Sequence, residues 1–344
     1  MDTTPTAAQQ PTHTQRDAGH LAMRAAVRHT YGPASQVRTE TVPRPVPGKG
    51  EVLVRVRAAG VDRGVWHVAT GKPYLLRLAF GVRRPRNPTL GLDVAGTVVA
   101  VGTAVTRFRV GDDVYGFGRG SFAEYAVASE AKLAPKPPQL GFEQAAVVPV
   151  SAATALQALV DVGRVQPGQK VLINGASGGV GSFAVQLACA MGAEVTGVAS
   201  TTKLDLVRTL GATHVVDYRS EDFAGRGERY DLILDIGGTP RLARLRRALT
   251  STGTVVLVGG EEGGRWTGGL DRTLRALALS TLGRQRLVSF VARQRASDLA
   301  VLTGYIQAGQ LHPVVDSTYP LDRAAEAVCL IEAGRAAGKI AITV

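Results

Sequence analysis

Residues 170–218 read KVLINGASGGVGSFAVQLACAMGAEVTGVASTTKLDLVRTLGATHVVDY, and this stretch decides the fold. Lys170–Asn174 is a short apolar run of the length of a buried parallel strand. It passes directly into Gly175-Ala176-Ser177-Gly178-Gly179-Val180-Gly181. Val180, Ala184, Leu187, Ala188 and Met191 then recur at helical spacing, which predicts a helix with one apolar face. Gly192 stops that helix, and Val195–Ala199 is a second apolar run. Strand, glycine turn, helix and strand together make a unit of about 30 residues, the setting in which a dinucleotide fingerprint carries weight.

The glycines have separate tasks. Gly178 lets backbone amides approach a pyrophosphate, and Gly181 lets the helix pack closely on the strand. The helix N-terminus offers free N–H groups and positive dipole to the anion. Ala176, Ser177, Gly178, Gly179 and Val180 are therefore candidate cofactor contacts. The strict GxGxxG pattern is not met, because Ala176 stands where its first glycine would be; the alternative is an ordinary tight turn. An NAD site usually ends its second strand in Asp or Glu, bonded to the ribose 2′-hydroxyl. Here the strand ends Ala199-Ser200-Thr201-Thr202-Lys203, with no carboxylate before Asp205. A hydroxyl at Ser200 and a cation at Lys203 suit a 2′-phosphate, which favours NADPH. Ser200–Thr202 would equally serve as caps for a helix starting near Lys203.

The chain of 344 residues is long enough for two sizeable cores, and 45% apolar with 20% charged residues is ordinary for a globular protein. No apolar run reaches the roughly 18 residues of a membrane span, and no basic-then-apolar leader opens the sequence. Cys189 and Cys329 lie in apolar helical patterns and read as reduced core thiols, which points to the cytoplasm. The net charge of +12 would fit nucleic acid, an anionic membrane or an acidic substrate. The arginines are dispersed, however, with Arg77–Arg86 and Arg284–Arg295 the densest pieces.

Residues 1–22 are polar, lack periodicity and read as a disordered extension. From Met23 to about residue 145, short strands at Met23–Val27, Glu51–Arg57, Asp93–Val101, Asp113–Phe117 and Ala123–Val127 alternate with glycine turns, predicting a partly open β-barrel with little helix. Helices are expected over Phe142–Pro149 and Ser151–Val162. Strands around Val171, Val195, Val215, Leu232 and Val255, separated by helical stretches, imply an α/β doubly wound parallel sheet. Beyond it, Asp298–Ala308 and Asp322–Gly334 read as helices and Ile340–Val344 as a strand returning to the first domain. The expected division is 23–147, a barrel domain; 148–291, a Rossmann domain; and 292–344, the return.

Taken together, the chain resembles the zinc-independent, quinone oxidoreductase-like branch of the medium-chain dehydrogenase/reductase superfamily. The matching stretches are LGLDVAGTVVAVGTAVTRFRVGDDVYGF (90–117), GSFAEYAV (120–127), AAVVPVSAATALQAL (145–159), GASGGVGSFAVQLA (175–188), LGATHVVDY (210–218) and GKIAITV (338–344). The resemblance implies a GroES-like barrel domain, a Rossmann domain and a cleft between them. Zinc enzymes of this superfamily carry Cys and His ligands, as zinc requires. Here Val61 falls where the first cysteine would be, Leu92-Asp93 replaces the Gly-His-Glu motif, and the six histidines (13, 20, 29, 67, 214 and 312) do not cluster. No metal is expected. Without a Lewis acid, simple ketones are hard to reduce, whereas quinones and α,β-unsaturated carbonyls delocalise the incoming charge themselves.

By resemblance, VDRGVWH (61–67) matches a stretch that usually begins Val-Asn-Pro and reaches cofactor and substrate; Asp62 replaces the Asn and Arg63 the Pro. An ionised carboxylate accepts but does not donate, so the amide's role does not transfer directly, and Asp62 paired to an arginine is the alternative. His67 is a candidate proton donor to an enolate or hydroquinone anion, and Tyr74 a further catalytic candidate, each against a plain packing role. The resemblance also implies cofactor contacts at Thr154, at Tyr218 beside the 2′-phosphate, at Val258, Gly259 and Gly260 against the carboxamide, at Phe290 and Val291 over the nicotinamide, and at Lys339 near the phosphates. An edge strand near residue 290 would pair two copies into a homodimer.

The resulting expectation is NADPH-dependent transfer of a hydride to a quinone or enone. Two alternatives stand beside it: a trans-enoyl thioester reductase whose Arg77–Arg86 loop meets a carrier, and a low-turnover NADPH-binding protein with nucleic-acid affinity.

Overall fold

The computed structural model describes residues 21–238, 240–259, 264–281 and 283–344. Among these, fifteen strands appear in chain order: β1 (Ala22–Val27), β2 (Arg38–Pro43), β3 (Glu51–Val61), β4 (Asp93–Val101), β5 (Asp113–Phe117), β6 (Tyr125–Ser129), β7 (Leu133–Pro135), β8 (Lys170–Asn174), β9 (Glu194–Ala199), β10 (His214–Asp217), β11 (Tyr230–Asp235), β12 (Leu249–Leu257), β13 (Arg286–Ser289), β14 (Val315–Pro320) and β15 (Lys339–Thr343). The helices are α1 (Arg63–Thr70), α2 (Arg77–Phe80), α3 (Phe142–Ala146), α4 (Pro149–Gln157), α5 (Gly179–Ala190), α6 (Leu204–Thr209), α7 (Leu242–Ala248), α8 (Gly264–Thr267), α9 (Leu270–Thr281), α10 (Ala296–Gln307) and α11 (Ala324–Glu332).

The expected α/β sheet is present. Its order is β10-β9-β8-β11-β12-β13, all neighbours parallel. Sequence order reverses between β8 and β11, so their carboxyl ends open the crevice in which doubly wound sheets bind ligands. Five of its six strands are those of the alternating units, and the sixth, β13, is the edge strand expected near residue 290, placed at Arg286–Ser289. The second sheet, β14-β15-β3-β4-β5-β7 with β6 on β3, is the barrel, and β1 pairs with β2 beside it. The terminal strand β15 runs antiparallel to β3, with Ile340 opposite Val61.

One local expectation is corrected. Short strands and glycine turns predict little helix in the barrel region, yet residues 63–70 form α1, started by the Asp62 side chain and ended by Gly71 at φ +64°. The helix expected over 151–162 forms, with its last turn widened: α4 spans Pro149–Gln157 and a π turn carries the chain over Ala158–Val162.

One apolar core joins the halves. Ala58, Ala95 and Tyr115 of the barrel share it with Ala152, Leu156, Phe183 and Leu187 of the helices on the parallel sheet. Each large side chain among them contributes about 1.5–3 kcal/mol on burial. The Tyr115 hydroxyl also donates to Leu299 O in α10. The barrel encloses a separate core of Val54, Val56, Val94 and Val114. The crevice between the sheets is thereby held in one shape.

Candidate active site

The glycine turn at 175–181 follows from its residues. Gly175 sits at φ +86°, where side-chain-bearing residues are strained. A Cβ on Gly181 would stand 2.1 Å from Gly175 O, so only glycine allows α5 to close on the turn. The first intrahelical bond runs from Ser182 N to Gly178 O, which leaves the N–H groups of Gly179, Val180 and Gly181 ahead of it for an anion. Ala176 differs from its neighbours: it is fully buried and its N–H is committed to Val198 O, so it shapes the turn from beneath.

Lys339 meets this turn from the other sheet. Gly338 N donates to Ser177 O at 2.9 Å, which pins β15 to the turn. The Lys339 stem then crosses α5, and a Cβ on Gly179 would stand 2.9 Å from its Cδ. Its ammonium is buried and lacks a hydrogen-bond partner, 3.7 Å from the carboxylate of Asp93. A buried cation that makes no hydrogen bond, and whose stem packs on the first residue of α5, suits a diphosphate held by the free helix N–H groups. The Lys339 side chain is buried and not solvated. Asp93 is a site residue that the motifs do not mark, although a carboxylate inside the apolar run Leu90–Ala95 is a legible signal.

On the barrel wall, Asp62 is nearly buried and caps α1 through Val65 N at 3.1 Å, while its Oδ2 has no hydrogen-bond partner. His67, half-buried, bonds through Nδ1 to Lys72 O at 2.6 Å. A carbonyl only accepts, so the neutral ring carries its proton on Nδ1 and presents Nε2 as a base. Tyr74 stacks on the Arg77 guanidinium, 4.5 Å from the ring centroid, and meets Trp266 edge-on at 5.1 Å. That aromatic pair bridges the two walls of the crevice.

On the sheet side, the Thr154 hydroxyl donates to Val150 O, which leaves its oxygen free to accept. The N–H groups of Val258 and Gly259 both reach Asp235 O. Gly260 lies outside the described residues, as do residues 1–20. Phe290 packs partly against the shared core, whereas Val291 is 90% exposed just beyond the edge strand. Near the end of β9, Ser200 is nearly buried and makes no side-chain capping bond, so the helix-cap alternative does not form. Lys203 donates to Arg335 O and Ala336 O, and burial pulls its ammonium below the usual lysine range. Tyr218 is exposed, beyond β10. Asp217 beside it accepts from the Thr201 hydroxyl and from Arg219 N, bonds that hold its carboxyl below the usual range.

The crevice floor was missed in the sequence. Asn174 at the end of β8 donates to Asp235 at the end of β11 at 2.7 Å, and Arg272 of α9 is ion-paired with the other oxygen of Asp235. Above them lies a cavity of about 150 Å³ lined by Val258, Gly259, Gly268, Arg272 and Ser289 among others. Single-sequence periodicity carries no signal for contacts between strand ends so far apart in the chain.

Among the described residues, no group of three or more His, Cys, Asp or Glu side chains is arranged to hold a metal, and no helix is long and apolar enough to cross a membrane. Residues 48–139 match the family described as alcohol dehydrogenase GroES-like domain, and residues 210–342 the one described as zinc-binding dehydrogenase. The chain is 32% identical to the chloroplastic quinone-oxidoreductase QR1 of Triphysaria versicolor, over 94% of this chain and 99% of that one. It is 31% identical to the NADPH-dependent alkenal/one oxidoreductase, chloroplastic, of Arabidopsis thaliana, over 93% and 79%. The structure of the quinone oxidoreductase from Coxiella burnetii superposes with a TM-score of 0.84 at 26% identity, covering 94% of this chain and all of that one. With a barrel and a parallel sheet meeting at a glycine-lined crevice, this chain is an oxidoreductase enzyme of the medium-chain dehydrogenase/reductase superfamily.

Proposed function

We propose that the enzyme uses NADPH to reduce quinones or α,β-unsaturated carbonyls, without a metal. The observation that carries the reading is the junction of the glycine turn with Lys339: free N–H groups and the stem of a buried lysine meet where a dinucleotide's diphosphate would lie. Ser200 and Lys203, with Tyr218 nearby, supply a hydroxyl, a cation and a ring for a 2′-phosphate. NADPH supplies the hydride when bound.

Thr154, Val258, Gly259 and Phe290 line the nicotinamide end and orient the ring. The acceptor enters against Asp62, His67 and Tyr74 on the barrel wall. His67, held by Lys72 O, must first be protonated on Nε2 before it can donate to an oxyanion. At the position where zinc enzymes hold their metal, Val61, Leu92 and Asp93 offer two hydrocarbons and a carboxylate already turned to Val150 N and Lys339. Conjugated acceptors need no electrophile there. A relative named as an NADPH-dependent alkenal/one oxidoreductase and others named quinone oxidoreductases support the same substrate class. Edge strand β13 pairs two copies into a homodimer, and the free cysteines suit the cytoplasm.

A second reading keeps the cofactor and changes the acceptor. Exposed Leu78 and Val82 stand among Arg77, Arg83, Arg84 and Arg86, which suits an enoyl chain on an anionic carrier. The deciding experiment follows NADPH and NADH consumption against quinones, enones, an enoyl thioester, a saturated ketone and an aldehyde, with and without chelator. Chelator-indifferent turnover of NADPH with a quinone or enone is expected. Turnover confined to the thioester favours the second reading; NADPH bound with nothing reduced defeats both.

A further inference from the structure

Three strands bring three ionisable side chains into the buried junction between the sheets. Asp93 opens β4, Lys339 opens β15, and Asp62 follows β3. Because Ile340 lies opposite Val61, the antiparallel register carries Lys339 and Asp62 to the same level. Glycines make the room: a Cβ on Gly60 would stand 2.8 Å from Asp93 Oδ2, and one on Gly179 would meet the Lys339 stem. Asp93 Oδ1 accepts from Val150 N at 2.9 Å. Asp93 Oδ2, Lys339 Nζ and Asp62 Oδ2 are all buried and lack hydrogen bonds, with 3.7 Å between the first two.

The charged groups that face Asp93 are Lys339 from β15 and Asp62 from the start of α1; α4 contributes the Val150 N–H. Burial pushes the Asp93 carboxyl well above its ordinary range; Lys339 opposes that rise and Asp62 adds to it. The Asp93–Lys339 ion pair thus carries a second carboxylate, Asp62, close enough to act on Asp93. The stem of the same lysine passes over the first residue of α5, with its Cδ at the Gly179 backbone, so the ammonium two bonds further on is within a side-chain rotation of an anion on the turn.

We propose that Asp93 is the ionisable counter-ion of Lys339, and that a diphosphate seated on the glycine turn takes over Lys339 and draws a proton from solvent onto Asp93 Oδ2. This rests on the dinucleotide reading above. The only bond formed is O–H on the carboxylate, and the proton comes from the buffer. Once the anion neutralises the ammonium, Asp93 faces only Asp62 and low dielectric, and an unpaired carboxylate there neutralises itself. Cofactor binding therefore weakens as pH rises above the free protein's Asp93 titration, by up to about tenfold per pH unit.

The test is calorimetry of NADPH binding from about pH 6 to about pH 9, in buffers of different ionisation enthalpy, which counts protons taken up. Wild type is compared with Asp93→Asn, which still accepts from Val150 N but cannot ionise. Any proton exchanged by the cofactor's own 2′-phosphate appears in both chains and cancels. The expected result is a wild-type uptake exceeding that of Asp93→Asn by up to one proton, with a flatter affinity profile in the variant. Lys339→Gln provides a second comparison should Asp93→Asn fail to fold: it binds more weakly and loses the same proton, because an unpaired Asp93 is already neutral. Equal proton counts in wild type and either variant at every pH overturn the proposal while leaving the cofactor reading intact. No NADPH binding by wild type overturns both.

Discussion

The guanidinium of Arg272 is ion-paired with the fully buried carboxylate of Asp235, at the point where the parallel sheet reverses its strand order. Arg272 also reaches Pro240 O, so one side chain of α9 ties down the loop that follows β11. Removing it as Arg272→Met strands a buried charge and costs about 3–5 kcal/mol. The double variant Arg272→Met with Asp235→Asn is expected to recover part of that loss in urea unfolding. A double variant no better than the single one would mean that the carboxylate does not depend on Arg272.

Gly181→Ala sets a methyl 2.1 Å from Gly175 O. Backbone cannot yield as a flexible side chain does, so α5 must move off the turn, at about 1–3 kcal/mol. The expected outcome is a lower melting temperature together with weakened NADPH binding. Thermal unfolding and a fluorescence titration measure the two, and unchanged affinity would remove the turn from the phosphate site.

Ser200→Asp places a carboxylate where a 2′-phosphate would accept a hydrogen bond. Loss of a charge-assisted bond is worth about 1.5–3 kcal/mol, so kcat/KM with NADPH should fall by roughly tenfold to a hundredfold while that with NADH holds or rises. Steady-state kinetics with both cofactors decide it. A proportional fall with both would assign Ser200 a structural role.

Tyr115 gives a pH signature. Burial pushes its hydroxyl up to about 12 from 10.0, against the opposing bond with Thr303. The folded chain therefore holds this proton more tightly than the unfolded one. Its contribution is complete below pH 10 and is lost as pH rises through about 12. Tyr115→Phe should cost about 1 kcal/mol near neutrality, with the gap to wild type closing on the alkaline side in denaturant titrations. A gap independent of pH would contradict the assignment.

Much of this architecture is written in local patterns. Lys170–Asn174 and Asp93–Val101 form strands over the very residues whose apolar runs predict them, and α5 follows the spacing from Val180 to Met191 to within a residue. Where reading failed, the cause is distance along the chain or weak local preference. Residues 63–70 include Gly64, Val65 and Thr70, poor helix formers, and coil because Asp62 caps them. Nothing within GKIAITV marks Lys339 as buried; its burial comes from β3 and β4, more than two hundred residues earlier. The Asn174, Asp235 and Arg272 floor is assembled by sheet order, which no window of sequence contains.

The bond from Gly338 to Ser177 and the pairing of β15 with β3 have a consequence for biosynthesis. Residues 175–181 leave the ribosome long before residue 339 is made. The nascent crevice thus holds its amides without its ammonium, and Asp93 waits in a barrel that lacks an inner strand. On the coenzyme reading proposed above, capture waits until residue 339 has been made. A chain that stops short of it has neither the β15–β3 pairing nor the Lys339 charge.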